Sequence, residues 1–475
     1  MTTKACRNGV RELVLLAAGV GGVFAGAAGA ATYDLTSASD LRTLYGLGSS
    51  DPVQVATAND YSDDDGPVIT AAMDAASAGD VLTLPAGIFH LKAQADLESD
   101  IELRGAGASV TTLAATYGGS GRLLAITSET GTTVSAMRLK TNNSTVGLRH
   151  LVYVTDSVDI TVEDCILQRF QRAGVYFNET VNGRVYDSIF KEAVCYKDST
   201  GVTSCASNGG HGYGVVYTNG CDTGRVDGCD FLGPDIRHGV VIQGSKVSDG
   251  NGGYTYPNPS HDITVKYNYF EDNQQDSIDL HGYGEYDNRI ECNTIVGPSD
   301  PTQDVEGRGI GVGEWAHGPS GTGNIIQFNT IIDCRYGVHV MNYTDDVTIK
   351  YNRIENSKRY GIYIEAGSNI DARDNEIYDC RKWGVLVDYG PDFIFDNASF
   401  SGNLVTGNGW AGSGYGGVMI ADISANDGAR VRDNSLCSNY GTDLEVTGVT
   451  GTFTNNANCS PIPGPYANPP TNCTP

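Results

Sequence analysis

Three observations predict an all-β chain wound as a right-handed parallel β-helix, a single-stranded solenoid with an N-terminal capping helix. An apolar-x-x-Asn-x-apolar unit recurs along the chain. A second strand of the form x-Gly-apolar-x-apolar follows most copies. The composition is turn-rich, with 61 Gly among 475 residues, 26 Tyr and only 5 Met, and beyond the first 80 residues it lacks the Ala/Leu/Glu/Lys mixture of long helices.

In chain order, residues 1–30 are expected to be a signal peptide. Lys4, Arg7 and Arg11 make a basic start, Leu13 to Ala31 is apolar and small, and Ala28-Gly29-Ala30 offers a small-residue cleavage site. This implies a secreted protein, extracellular or periplasmic. The amphipathic run PVITAAMDAASAGD at 67–80 reads as a helix, expected to cover the unpaired core that a solenoid end exposes. VLTLPAGIFHL at 81–91 and IELRGAG at 101–107 open the sheets, so 31–454 is expected to be one β-helix domain including its cap. Residues 455–475 form a Pro-rich tail.

The repeat is clearest as VKYNYF at 265–270, IECNTI at 290–295, IQFNTI at 326–331, IKYNRI at 349–354, ARDNEI at 372–377 and VRDNSL at 431–436. FSGNLV at 400–405 fits, and Cys165, Ser188 and Cys229 replace Asn in earlier copies. Several intervals are 23 residues and the rest are longer, which is a stacked coil with added loops. Alternating apolar residues should point inward, Gly should supply the bend between strands, and Asn should hydrogen-bond along the stack. Helical solenoids need longer periods and 3.6-residue spacing, which are absent.

The formal net charge of −26 argues against nucleic-acid partners and acidic membranes. No segment after the leader is apolar enough to span a bilayer, and a monomer is expected. A polyanionic substrate would have to meet a locally basic cleft. Twelve Cys become eleven once Cys6 leaves with the leader, and Cys195–Cys205 and Cys459–Cys473 are the expected disulfides.

Stacking the x-Gly-apolar-x-apolar strands places outward residues in columns. The position before Gly reads Tyr213, His238, Asp276, Arg308, Tyr336, Tyr360 and Trp383. The next outward position gives Val216, Val241, Asp279, Gly311, His339, Tyr363 and Leu386, and the one after includes His281 and Glu365. Titratable and aromatic groups concentrate on the middle coils, where loops at 192–212, 245–260 and 298–322 would raise walls. Asp279 and His281 share one face of a strand because their spacing is two, and a carboxylate beside an imidazole sets its tautomer for proton transfer. His238, Arg308 and Tyr336 border the same patch. Arg237 or Arg308 can neutralise a substrate carboxylate. Tyr283, Glu314, His339, Tyr363, Glu365 and Trp383 are expected substrate contacts.

Asp279-Leu280-His281 resembles the Asp-Pro-His signature of alginate C5-epimerases, parallel β-helices acting on polymannuronate, and the opening of the chain resembles that of pectate-lyase-superfamily proteins. The resemblance carries over Asp279 and His281 only. Asp276 stands where that family has Tyr, Arg237-His238-Gly239 comes one coil before the signature, and Tyr336 stands where the family has His. The motif series of polygalacturonase-like hydrolases is absent.

Three function classes follow. The leading one is a lyase or epimerase abstracting the C5 proton of a uronic-acid residue, in alginate or pectate for example. Here Arg308 or Arg237 would be the neutraliser, His281 or His238 the base, and Tyr336 or Tyr283 the acid. The second is a glycoside hydrolase using two carboxylates among Asp276, Asp279, Glu314 and Glu365. The third is a non-catalytic glycan-binding surface protein. The sequence identifies no cofactor with certainty; acidic clusters permit Ca²⁺ at Asp279 or Glu365, although no Ca²⁺ loop motif occurs.

Overall fold

The computed structural model describes residues 30–142, 148–194, 212–245, 247–248, 254–282, 284–297, 307–313, 320–341, 344–365, 367–388, 398–412, 414–421, 429–447 and 451–456. Each repeat copy becomes two short strands around its Asn, as Thr348–Lys350 and Arg353–Glu355 flank Asn352. The Gly-containing strand Tyr360–Ile364 completes that coil. Among the described residues the coils stack into three parallel sheets of 15, 13 and 13 strands. The fold is a right-handed parallel β-helix.

The interior is built of columns. Phe190, Phe231 and Phe270 stack with ring centroids 4.7 Å apart. The same column continues in register through Ile295, Ile331, Ile354 and Ile377. All are buried. The 23-residue interval that puts Ile331, Ile354 and Ile377 at equivalent places thus becomes a single internal stripe.

The repeat Asn sits at the corner between two sheets. Asn268, Asn293, Asn329, Asn352, Asn375, Asn403 and Asn434 each donate their amide N–H to the Oδ1 of the next Asn, at 2.9–3.0 Å. The last acceptor is Asn456. Each also donates to a core carbonyl, as Asn352 does to Ile326. The residue just before the Asn takes a left-handed conformation, for example Tyr267, Cys292, Phe328, Tyr351 and Asp374. Where Cys229 replaces Asn, its backbone N–H still donates to Asn268 Oδ1 at 2.9 Å.

The strand glycines do something other than bend the chain. A Cβ at Gly337 would lie 2.5 Å from both the Gly361 carbonyl and Ile354 Cγ2, and one at Gly239 would strike the Phe270 ring at 2.5 Å. Glycine here lets the core side chain of the next sheet fill the corner.

The helix expected over 67–80 runs over Gly66–Ala75. It stops early because Ala76 turns extended and the Asp80 carboxylate takes the Ser77 and Ala31 N–H groups, each at 2.9 Å. Its apolar face, Val68, Ile69, Ala72 and Met73, is buried in the same core as the first coils. A second helix, Ala38–Leu44, was not expected; it starts at Ser37, whose hydroxyl accepts from Asp40 N. The first strand is Thr32–Asp34 and the last Gly451–Thr454. Among the described residues no helix is long and apolar enough to cross a membrane. Cys165, Cys221, Cys229, Cys334, Cys380 and Cys437 are free thiols. The expected pairs Cys195–Cys205 and Cys459–Cys473 lie outside the described residues.

The Asn ladder makes a quantitative expectation. Asn352→Ala would strand the Asn329 side-chain N–H and the Ile326 carbonyl inside the core, and each unsatisfied buried group costs about 1–3 kcal/mol. Chemical denaturation should show a loss of about 2–6 kcal/mol. A loss within a few tenths would mean the ladder is replaceable.

Candidate active site

The 13-stranded sheet that holds the Gly-containing strands carries the candidate residues on its outer face. Register pairs Tyr213 with His238, Asp276 with Arg308, Arg308 with Tyr336, and Tyr336 with Tyr360. One column over, Val241, Asp279, Gly311, His339, Tyr363 and Leu386 lie side by side. Although these side chains point away from the core, the charged ones are enclosed: Asp276 and Asp279 are 0% exposed, His238 1% and His281 6%.

Asp279 organises the cluster. Its Oδ2 lies 2.5 Å from His281 Nδ1 and 3.5 Å from His238 Nδ1. Burial alone would raise the Asp279 carboxyl, but His281, by charge and hydrogen bond, with Arg308 behind it, holds it at about 2. An ionised carboxylate only accepts, so His281 Nδ1 donates and Nε2 is the basic nitrogen. Asp279 Oδ1 has no hydrogen-bond partner among the described residues.

His238 is fixed from the other side by a residue the sequence reading passed over. Gln275 Oε1 accepts from Arg237 Nε and stands 3.0 Å from His238 Nε2. Because Arg can only donate, that Gln atom is the oxygen and His238 Nε2 carries the proton. His238 Nδ1 therefore presents a lone pair towards Asp279. Burial pushes this imidazole well below its usual pKa, against the opposing pull of Asp279, so it is neutral. Gln275 belongs to a third column, one residue before the His238 column; stacking that position would have exposed it.

Asp276 and Arg308, assigned separate roles by sequence, form a buried ion pair at 3.0 Å. Arg308 is thus partly neutralised before any substrate arrives, by a partner that the sequence reading did not assign to it. The Gly in the Asp279 column matters too: a Cβ at Gly311 would sit 2.7 Å from Asp276 Oδ2 and 3.6 Å from Asp279 Oδ1. The notch at Gly311 gives both carboxylates room.

A second histidine–carboxylate pair stands beyond that notch. His339 Nε2 is 2.9 Å from Glu365 Oε2, and His339 Nδ1 has no partner among the described residues. Burial lowers His339 to about 4 despite Glu365. Tyr336 packs its ring against His339 at 4.8 Å, and its hydroxyl accepts from Arg359 at 3.3 Å. Tyr363 stacks on His339 at 4.6 Å. Trp383 is buried at the end of the patch, and its carbonyl accepts from Gly361 N. Glu285 is a buried support: it accepts from Gly282 N at 2.6 Å and from Ser320 Oγ at 3.0 Å, shaping the turn after His281. Tyr283 and Glu314 lie outside the described residues.

His238, Asp276 and Asp279 bring donor atoms within 4.8 Å of one another, as do Asp222, His261 and Asp262 at the surface. The buried set mixes imidazole with carboxylates, whereas Ca²⁺ takes oxygen ligands, and Arg308 already balances Asp276. The set therefore fits Ca²⁺ poorly.

Residues 258–456 match the family described as right handed beta helix region. No curated protein sequence matches the chain significantly. Among solved structures, the chain is similar to PfbA, a surface adhesin of Streptococcus pneumoniae, at 13% identity and a TM-score of 0.54, covering 82% of this chain and 90% of that one. It is similar to the catalytic domain of a GH87 alpha-1,3-glucanase at 14% identity and a TM-score of 0.50, covering 86% and 70%. The A-module of the Azotobacter vinelandii mannuronan C-5 epimerase AlgE4 aligns at 15% identity and a TM-score of 0.46, covering 83% and 96%. At these identities the likeness is one of fold.

The lowered histidines imply a pH dependence of stability. The unfolded chain binds a proton at position 339 near pH 6.5 and the folded chain only near 4. Stability from this group is whole above about 6.5, falls as pH drops, and is lost by about 4, on the order of 3 kcal/mol. Denaturation midpoints between pH 7 and 4 should fall steeply for the native protein and less steeply for His339→Gln. Parallel curves would contradict the assignment.

Proposed function

We propose that the chain is a secreted enzyme acting on an acidic polysaccharide, which abstracts the C5 proton of a uronic-acid residue and so performs β-elimination or C5-epimerisation. One observation carries this reading: the ionised, buried Asp279 holding His281 in the tautomer whose Nε2 is a base. The fold neighbours include a glucanase and an adhesin, so the argument rests on the site and not on the fold.

In this reading His281 Nε2 takes the C5 proton and the electron pair passes into the substrate carboxylate. Arg308, already poised by Asp276, stabilises the enediolate charge. In elimination the pair returns to form the C4–C5 double bond as the C4–O4 bond breaks, and the departing oxygen takes a proton from Tyr336 or the imidazolium of His281. In epimerisation C5 is reprotonated from the opposite face by a second acid, the role assigned here to the Tyr336 hydroxyl, which accepts from Arg359 and keeps its own proton to give. The hydrolase reading needs one protonated carboxyl at neutral pH. A carboxyl held at about 2 is the wrong acid for that, which disfavours Asp279 in the role.

Purified protein should be offered alginate, pectate and glycosaminoglycans with and without chelator. The readouts are the ultraviolet absorbance of unsaturated uronate, deuterium uptake at C5 from heavy water, and new reducing ends. Reducing ends alone, with neither of the first two, would replace this reading with hydrolysis. Binding without any of the three would make the chain a glycan-binding protein.

His281→Ala should fold normally, because the side chain contributes little to the core, and should lose about 10²–10⁴ in turnover. Arg308→Ala should both raise KM and lower kcat. Near-normal turnover by His281→Ala would remove the base assignment.

A further inference from the structure

The column that contains Asp279 continues four strands towards the N-terminus without interruption. Register runs Tyr153, Tyr176, Val216, Val241 and then Asp279. Tyr153 and Tyr176 stack with ring planes 8° apart, and Tyr176, Val216 and Val241 form one apolar cluster on the outer face, separate from the core. At about 4.8 Å per strand this floor is about 19 Å long.

At its far end stands an unusual concentration of positive charge in a chain of net charge −26. Arg122 lies 3.5 Å over the Tyr153 ring, Arg172 5.2 Å from the Tyr176 ring, and Arg149 adjoins both. None of the three forms an ion pair among the described residues. Between them His150 is buried, with Tyr176 4.6 Å away, and neither of its ring nitrogens has a hydrogen-bond partner among the described residues. Gln171 Oε1 is equally unpartnered. The charges acting on His150 are Arg172, Arg149 and Arg122, all cations. Three like charges around a buried imidazole repel one another, and among the described residues no carboxylate forms an ion pair with them.

We propose that this cluster is a second carbohydrate-binding site, taking a uronate unit of a chain that runs along the Tyr153–Asp279 column. The guanidinium groups of Arg149 and Arg172 receive its carboxylate. Arg122 and Tyr176 already cover the two faces of the Tyr153 ring, so the tyrosines meet the sugar with their outward edges, and His150 and Gln171 supply hydrogen bonds to its hydroxyls. The inference rests on the polyuronate reading of the site around Asp279, and adds that several sugar units separate the gripped residue from the reacting one. It follows that long oligomers bind through both sites and short ones through the Asp279 end alone.

The test uses the full chain and oligouronates, trimers against decamers, from whichever polyuronate is turned over. Binding is measured by calorimetry on His281→Ala so that nothing is consumed, and kinetics on the otherwise native protein. Arg149→Gln/Arg172→Gln should weaken decamer binding at least about tenfold, leave trimer binding unchanged, and raise KM for decamers with kcat preserved. Arg172→Lys should retain most of the affinity. If the double variant does not fold, Tyr153→Ala, which removes the ring that seats Arg122, tests the same site and should show the same length dependence. Unchanged decamer affinity in folded variants overturns the inference while leaving the Asp279 site standing. Equal loss for trimers and decamers also overturns it. A neutral gluco-oligosaccharide bound as tightly as the decamer would overturn recognition by charge. Failure of the native protein to bind or turn over any polyuronate overturns both readings together.

Discussion

The constraint on which the molecule depends is that, from Asn268 onward, one corner of each coil buries an asparagine amide that takes its partners from the neighbouring coils. An amide left unpaired in the core costs more than the bond it makes is worth, so the stack cannot slip by a residue without breaking the whole ladder from Asn268 to Asn456. A slip would also turn Ile331, Ile354 and Ile377 outward. Locking the inner columns locks the outer ones. Residues as distant in sequence as His238, Asp279 and Arg308 meet because their strands are held in fixed register, and no loop has to close to bring them together.

That rigidity permits an otherwise costly arrangement of charge. Taking two carboxylates, a guanidinium and several imidazoles out of water is unfavourable unless each finds a partner of correct geometry. Asp276 is answered by Arg308 and Asp279 by His281, and Gln275 fixes the proton on His238. Gly311 is the spatial condition for all of this, since any side chain there would strike Asp276. The Asp276 position is committed to an ion pair with the next coil.

Much of this was legible in the sequence because a β-solenoid converts sequence interval into spatial adjacency. Once the Asn positions are aligned, the columns of His238, Arg308 and Tyr336, and of Asp279, His339 and Tyr363, follow by counting, and the structure has them in that register. What counting does not give is rotamer and depth. Asp276 and Arg308 are adjacent on paper, but only coordinates show that they turn towards each other. The role of the strand glycines was misread for the same reason: their tight contact is with a side chain of a different sheet, which a single-column reading does not include. Gln275 escaped because amides without charge do not stand out in a search for titratable groups.

The protonation pattern gives the site a direction. Burial keeps His238 and His339 neutral, and Asp279 remains ionised far below neutrality. At neutral pH the enclosed patch is therefore rich in lone pairs at His238 Nδ1, His339 Nδ1 and Asp279 Oδ1, while its imidazole N–H groups are already held by carboxylates or Gln275. Such a site takes a proton more readily than it gives one. Chemistry that begins with deprotonation of carbon suits it, because the proton gained by His281 at once strengthens its bond to Asp279 and is then available for return. Chemistry that begins by protonating a glycosidic oxygen would need a carboxyl whose surroundings raise its pKa, and Asp279 has the opposite surroundings.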